Sequence, residues 1–117
     1  MSLSSVTKIE NLVSVIVPVF NELENVELMY REMIGAMENQ DRPFELVVVD
    51  DGSLDGTREK LIQIAADDER VKLILFRRNY GQTAAMHAGI QNASGDYLVT
   101  IDGDLQNDPH DIPMMLD

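Results

Sequence analysis

Four short β-branched runs, separated by segments of helical periodicity, restrict this chain more than any other feature. Val13-Ser14-Val15-Ile16-Val17-Pro18-Val19 is nearly all apolar, as a strand covered on both faces must be. Phe44-Glu45-Leu46-Val47-Val48-Val49, Val71-Lys72-Leu73-Ile74-Leu75-Phe76 and Tyr97-Leu98-Val99-Thr100-Ile101 share that character. Between the runs the period changes. Leu23, Val26, Tyr30, Met33 and Met37 fall three and four apart, on one face of a helix with a capping-box-like start at Asn21 and Glu24. Leu61, Ile64 and Ala65 mark a second amphipathic helix; Ala84, Ala85, Ala88 and Ile90 mark a third, with small residues suited to close packing. The methionines on these faces read as core filler. The order β-α-β-α-β-α-β, then Pro109 and the opening of another helix, predicts an α/β fold. It is a Rossmann-like parallel sheet of about four strands, with helices on both faces and right-handed crossovers.

The 117 residues fit one domain with one core. Residues 1–11 are expected to form a flexible leading segment, with Met1-Ser2-Leu3 a candidate expression scar. Residues 12–117 carry the fold, and the pattern stops barely one turn into its fourth helix, as the front half of a larger domain would. Nine Lys+Arg against 21 Asp+Glu give a formal net charge of −12. A nucleic acid would be repelled, because the few cations are scattered, and an anionic membrane surface is disfavoured for the same reason. No apolar run approaches the roughly 20 residues that cross a bilayer, and no signal-peptide pattern opens the chain. With no cysteine there is no thiolate nucleophile or zinc–thiolate site. Most carboxylates read as solvated surface, and a few as candidate ligands for a divalent cation.

Ligands of an open parallel sheet bind beyond the carboxyl ends of its strands, near the point where strand order reverses. Polar, charged and glycine residues gather at all four such ends: Pro18-Val19-Phe20-Asn21-Glu22, Asp50-Asp51-Gly52-Ser53, Arg77-Arg78-Asn79-Tyr80-Gly81 and Asp102-Gly103-Asp104-Leu105-Gln106. Asp102-Gly103-Asp104 is the sharpest. Two carboxylates separated by one small residue can address one hard cation, and glycine lets the backbone turn tightly. Asp-Gly is also a common turn signal, so the position at a strand end is what favours the metal reading. In Asp51-Gly52-Ser53-Leu54-Asp55-Gly56-Thr57, Ser53 or Asp55 suits a helix cap. A calcium loop is rejected there, because Ile62 stands where a bidentate glutamate is required. A carboxylate at this strand end can instead accept hydrogen bonds from a nucleobase edge. Gly81 opens the third helix, where free N–H groups suit an anion. Neither a dinucleotide fingerprint nor a P-loop is present. His87 reads as a packed or surface residue, and His110 as a candidate neighbour of the metal.

Together these segments resemble the nucleotide-binding half of a family-2 glycosyltransferase with the GT-A fold. The residues that carry the resemblance are Val17-Pro18-Val19-Phe20-Asn21-Glu22, Val49-Asp50-Asp51-Gly52-Ser53-Leu54-Asp55-Gly56-Thr57, Asn79-Tyr80-Gly81-Gln82, and Gly95-Asp96 followed by Ile101-Asp102-Gly103-Asp104-Leu105-Gln106. The run from Asp102 to Pro109 is similar to the branch that charges polyprenyl phosphates, which includes the dolichol-phosphate mannose synthases. Gly103, where that branch more often has alanine, and Asn107-Asp108, where it has a second proline nearby, depart from its pattern. The resemblance implies that Pro18, Phe20 and Glu22 line the nucleoside pocket, and that Asp51, with Asp50, binds the base. It implies that Asp102 and Asp104, helped by Gln106, hold Mg²⁺ or Mn²⁺ on the donor diphosphate, with Gly103 between them. Arg78, Gly81 and Gln82 then approach the diphosphate or sugar. No catalytic residue is assigned, because the acceptor half of such enzymes lies further along the chain.

The implied reaction is an inverting, metal-dependent transfer from a nucleotide diphosphate sugar, with a UDP-sugar favoured over a GDP-sugar, to a polyprenyl phosphate. The resemblance implies a cytoplasmic location, with the full-length parent membrane-associated on that face. The fragment is expected to bind donor and metal with weak or no transferase activity, and to dimerise or aggregate through an exposed fourth-strand edge. Two rivals stand beside it. A receiver-type phospho-aspartate domain has the same alternation, but its acidic pair ends the first strand and here the pair ends the second. A nucleotide-binding module without turnover shares every feature of the donor half.

Overall fold

The computed structural model describes residues 11–101. The elements are β1 (Val13–Val19), α1 (Val26–Glu38), β2 (Phe44–Asp50), α2 (Thr57–Asp67), β3 (Val71–Leu75), α3 (Gln82–Asn92) and β4 (Tyr97–Thr100). The strands form one parallel sheet in the order β3-β2-β1-β4. The α/β fold class read from the sequence is therefore the fold observed.

Strand alternation sorts the core into two layers. Val13, Val15, Val17 and Val19 of β1, with Leu46, Val48, Val71 and Val99, pack against Val26, Met29, Met33 and Met37 of α1 and Leu61 and Ile64 of α2. The opposite face presents Ile16, Val47 and Val49, all fully buried, to α3. A right-handed crossover fixes which face its helix covers for a given direction of travel. The steps β1 to β2 and β2 to β3 run one way and place α1 and α2 together, and the return from β3 to β4 places α3 on the other face.

The order reverses at β1, which has a neighbour on each side. β4 pairs with β1 from Val13↔Tyr97 to Ile16↔Thr100, and the Ile101 N–H still donates to Ile16 O at 2.9 Å. The next rung would need an N–H from residue 18, and proline has none. On its other side β1 pairs with β2 as far as Val19↔Asp50.

Two local expectations change. The helix expected from Asn21 begins at Val26, with Asn25 as N-cap, and Glu22 O accepts from the N–H groups of Asn25 and Val26 at 3.0 and 2.8 Å. Asn21 instead adopts φ 49° and its side chain leaves for another loop, so Leu23 is exposed rather than core. On α3 the buried residues are Ala85 and Gly89, while Ala84 and Ile90 face outward. Gly89 lets the helix lie against the sheet: a Cβ there would stand 3.3 Å from Val49 Cγ2 and closer still to Ile16 Cγ2.

The amino edge is fastened by polar clusters without local sequence signature. Ser14 Oγ donates to Glu45 Oε2 at 2.6 Å and accepts from Gly95 N–H at 2.8 Å, while Lys72 Nζ reaches Asn92 O at 2.8 Å. These bonds fix the α3–β4 connection. Arg70 grips Asp68 through Nε and Nη2, both at 2.9 Å, and Glu38 at 3.0 Å, and Tyr30 Oη donates to Asp68 at 2.6 Å. The Arg70 guanidinium holds the Asp68 carboxyl well below the usual carboxylate range, against the opposing effect of burial. A depressed native pKa contributes stability above the unfolded value, about 3.9, that is lost as pH falls through the native one. Asp68→Asn is expected to lower stability by about 2 kcal/mol at pH 7, with a difference that shrinks as acid is added. Urea denaturation of both proteins at neutral and acidic pH checks this.

Candidate functional site

At the carboxyl edge the loops after β1 and β2 are laced together. The N–H groups of Asn21, Glu22 and Leu23 donate in turn to Ser53 Oγ at 2.8 Å, Thr57 Oγ1 at 2.9 Å and Asp55 Oδ2 at 3.3 Å. Asn21 Oδ1 returns a bond by accepting from Leu54 N–H at 2.9 Å. Asp55 Oδ1 also accepts from the Thr57 N–H at 3.0 Å, so it caps α2 from one residue before the N-cap, Gly56. Ser53, expected as an alternative cap, is spent on the β1 loop instead. The polar letters of this motif thus satisfy three backbone donors that the tight turn at Asn21 leaves outside any ladder.

Asp50 and Asp51 lie side by side in sequence and point to different partners. Asp50 is fully buried; its Oδ2 accepts from Ser53 N–H at 3.3 Å, and its Oδ1 has no hydrogen-bond partner among the described residues. Burial pushes its carboxyl pKa up, against the opposing Ser53 hydrogen bonds and the Arg58 charge. Asp51 is 3% exposed, and both its oxygens are taken. Tyr80 N–H donates to Oδ1 at 2.8 Å, and Gly81 N–H and Asn79 Nδ2 donate to Oδ2, each at 3.0 Å. The expectation that Gly81 presents a free N–H to an anion is corrected: its anion is Asp51.

The remaining candidates divide by exposure. Pro18 is buried near the carboxyl end of β1; Phe20 is 42% exposed beside it, and Glu22 is half-buried. Arg78 is exposed and lies 5.0 Å above the Tyr80 ring, Tyr80 meets Phe76 edge-on at 5.5 Å, and Gln82 is exposed at the start of α3. His87 is a surface residue of α3. Asp102, Gly103, Asp104, Gln106 and His110 lie outside the described residues. Among the described residues no group of three or more His, Asp or Glu is placed to hold a metal. Asp102 directly follows Ile101, the last described residue, whose N–H donates to Ile16 O of β1. The carboxylate and amide oxygens of Asp102, Asp104 and Gln106 are the donors a hard divalent cation prefers. Sequence reasoning missed Ser53 and Thr57 as clamps and the Asn79 side chain as a partner of Asp51; their signal, short polar side chains beside turn glycines, is common to most loops.

A carboxyl whose native pKa is raised above its unfolded value costs stability once pH exceeds the unfolded value, because its charged form is desolvated. Asp50→Asn is expected to raise stability at pH 7 by about 1 kcal/mol, with the gain vanishing below about pH 4. Thermal unfolding at the two pH values checks it.

Comparison with known proteins shows the family. The model for Glycosyl transferase family 2 matches residues 14–117. An undecaprenyl-phosphate 4-deoxy-4-formamido-L-arabinose transferase of Pectobacterium carotovorum is 42% identical over 106 residues, which cover 90% of this chain and 32% of the relative. The Photorhabdus laumondii protein of the same name is 42% identical over 105 residues, 89% of this chain and 32% of its own length. Among solved structures, a mannosyltransferase of Pyrobaculum calidifontis in complex with GDP-Man and Mn²⁺ superposes with a TM-score of 0.67 at 30% identity, over 79% of this chain and 27% of the other. S. aureus TarS 1–349 in complex with UDP gives 0.62 at 28% identity, over 79% and 27%. The chain spans about a third of the length of the curated relatives it matches. A β1 end, an acidic β2 end and a glycine-led α3 that converge on one sheet edge, with this match along nearly the whole chain, make it a member of glycosyl transferase family 2.

Proposed function

We propose that this chain is the donor-binding portion of an enzyme that moves a sugar from a nucleotide diphosphate sugar to a polyprenyl phosphate. The observation that carries the reading is the convergence of the β1, β2 and β3 loops at the carboxyl edge where strand order reverses. The undecaprenyl-phosphate transferases at 42% identity support the acceptor class, and neighbours solved with GDP-Man and UDP support the donor class. In this reading Pro18, Phe20 and Glu22 border the nucleoside, with the acidic end of β2 behind it. Arg78 and Gln82, at the mouth of α3, face the diphosphate or sugar. Arg78 has no carboxylate partner among the described residues, which leaves its charge available to a polyanion in a strongly acidic chain.

Asp102, Asp104 and Gln106 are the residues that would hold Mg²⁺ or Mn²⁺. When bound, the cation neutralises charge that develops on the departing nucleoside diphosphate. An acceptor phosphate oxygen is already anionic, so its attack on the anomeric carbon needs little general-base help, and a single displacement inverts that centre. No described helix is long and apolar enough to cross a membrane. A polyprenyl acceptor places the full-length protein at a membrane, in this proposal on the cytoplasmic face, where it meets its nucleotide sugar.

Calorimetry with UDP and with GDP, each with and without Mn²⁺, tests the reading. Cation-dependent binding, tighter for UDP and weakened at least tenfold in Asp104→Ala, is the expected result. A folded protein that binds neither nucleotide contradicts it.

A further inference from the structure

Asp51 stands at the border of the proposed nucleoside pocket, yet its carboxylate is almost sealed from solvent. The groups around it belong to the loop between β3 and α3. Tyr80 N–H, Gly81 N–H and Asn79 Nδ2 all converge on its two oxygens at 2.8–3.0 Å, and Asn79 Nδ2 also approaches Asp51 O at 3.3 Å. Asp51 is itself held by β1, because its own N–H donates to Val19 O at 2.8 Å. The bonds therefore tie an exposed loop to the centre of the sheet. Charge-assisted bonds of this kind are stronger than neutral ones.

The backbone is shaped for the same contact. Gly52 sits at φ +77°, and a Cβ there would stand 2.5 Å from Asn79 N and closer to Arg78 C. The loop rests directly on a glycine that only its missing side chain makes approachable. What the loop carries explains why its position matters. Arg78 and Tyr80 are both exposed, paired cation over ring, and Arg77 and Arg78 bring positive charge to an edge otherwise bordered by Glu22, Asp50, Asp51 and Asp55. A loop free to swing would carry that charge away from any anionic ligand.

We infer that Asp51 is a positioning residue: it latches the 78–81 loop against Gly52 and so places Arg78 and Tyr80 at the mouth of the pocket. The inference rests on the donor-binding reading for its consequence, but the latch itself can be tested without ligand. Asp51→Asn keeps the shape of the side chain and turns one acceptor oxygen into a donor that faces other donors. Asn79→Ala removes one donor and leaves the carboxylate intact, so it separates the two roles.

Amide hydrogen exchange and UDP affinity in the presence of Mn²⁺ are measured on the full 117-residue chain. In Asp51→Asn, exchange at Tyr80 and Gly81 is expected to accelerate by about tenfold or more, while amides of β1 keep their protection. UDP binding weakens by a similar factor in Asp51→Asn and by a smaller one in Asn79→Ala, and the double variant binds no more weakly than Asp51→Asn alone. Tyr80 and Gly81 stay protected when UDP saturates the wild-type protein. Three results overturn the latch: unchanged Tyr80 and Gly81 exchange in Asp51→Asn, loss of their protection when UDP binds, or UDP binding that Asn79→Ala leaves intact or tightens. If wild-type protein binds no UDP, the donor reading fails, and exchange in the unliganded variants still decides whether the latch exists.

Discussion

A right-handed crossover can lay its helix on only one face of a sheet for a given direction of travel, and among the described strands the direction reverses once. After β3 the chain returns past β2 and β1, which moves α3 to the opposite face and leaves β1 with a neighbour on each side. Everything at the carboxyl edge depends on that reversal. β1 is buried along its whole length, so its end is the fixed point from which the loops diverge. Pro18, on the β4 side, has no N–H to donate. The carboxyl edge at which the loops meet is a product of topology, before any functional side chain is considered.

The loops at this edge are stiffened by side chains rather than by secondary structure. Three consecutive N–H groups after β1 are satisfied by Ser53, Thr57 and Asp55, and two N–H groups and an amide before α3 are satisfied by Asp51. Much of the motif Asp50-Asp51-Gly52-Ser53-Leu54-Asp55-Gly56-Thr57 is therefore internal carpentry. Asp50 is the exception. It is buried with an oxygen that no described residue satisfies, and burial raises its pKa.

The strands and the three helices were legible because burial leaves a periodic mark on the sequence. Val13–Val19 is found where its β-branched run lies, and the other strands end within a residue or two of theirs. The start of α1 was not legible, because Asn21 resembles an N-cap in one dimension and is a left-handed turn residue in three. The packed side of α3 was misread for a related reason: Gly89 contributes no hydrophobicity, yet its lack of a side chain sets the distance between helix and sheet. At the site, residue types and their location at the strand ends could be read, but not which polar groups the protein had already used on itself. Asp51 and Gly81 look like two independent ligand-binding elements and are partners of one another. Ser14, Glu45 and Lys72, at the far edge, are too distant in sequence for any local pattern to join them.

The central claim is that a nucleotide binds at the carboxyl edge of the sheet, beside the end of β1. Amide chemical-shift mapping with UDP and Mg²⁺ tests it most directly. The account predicts that shifts concentrate at residues 20–23, 51–54 and 78–82, and that the opposite edge, residues 40–43, 67–70 and 92–95, stays unchanged. Shifts centred on that opposite edge, or spread evenly over the sheet, would contradict it.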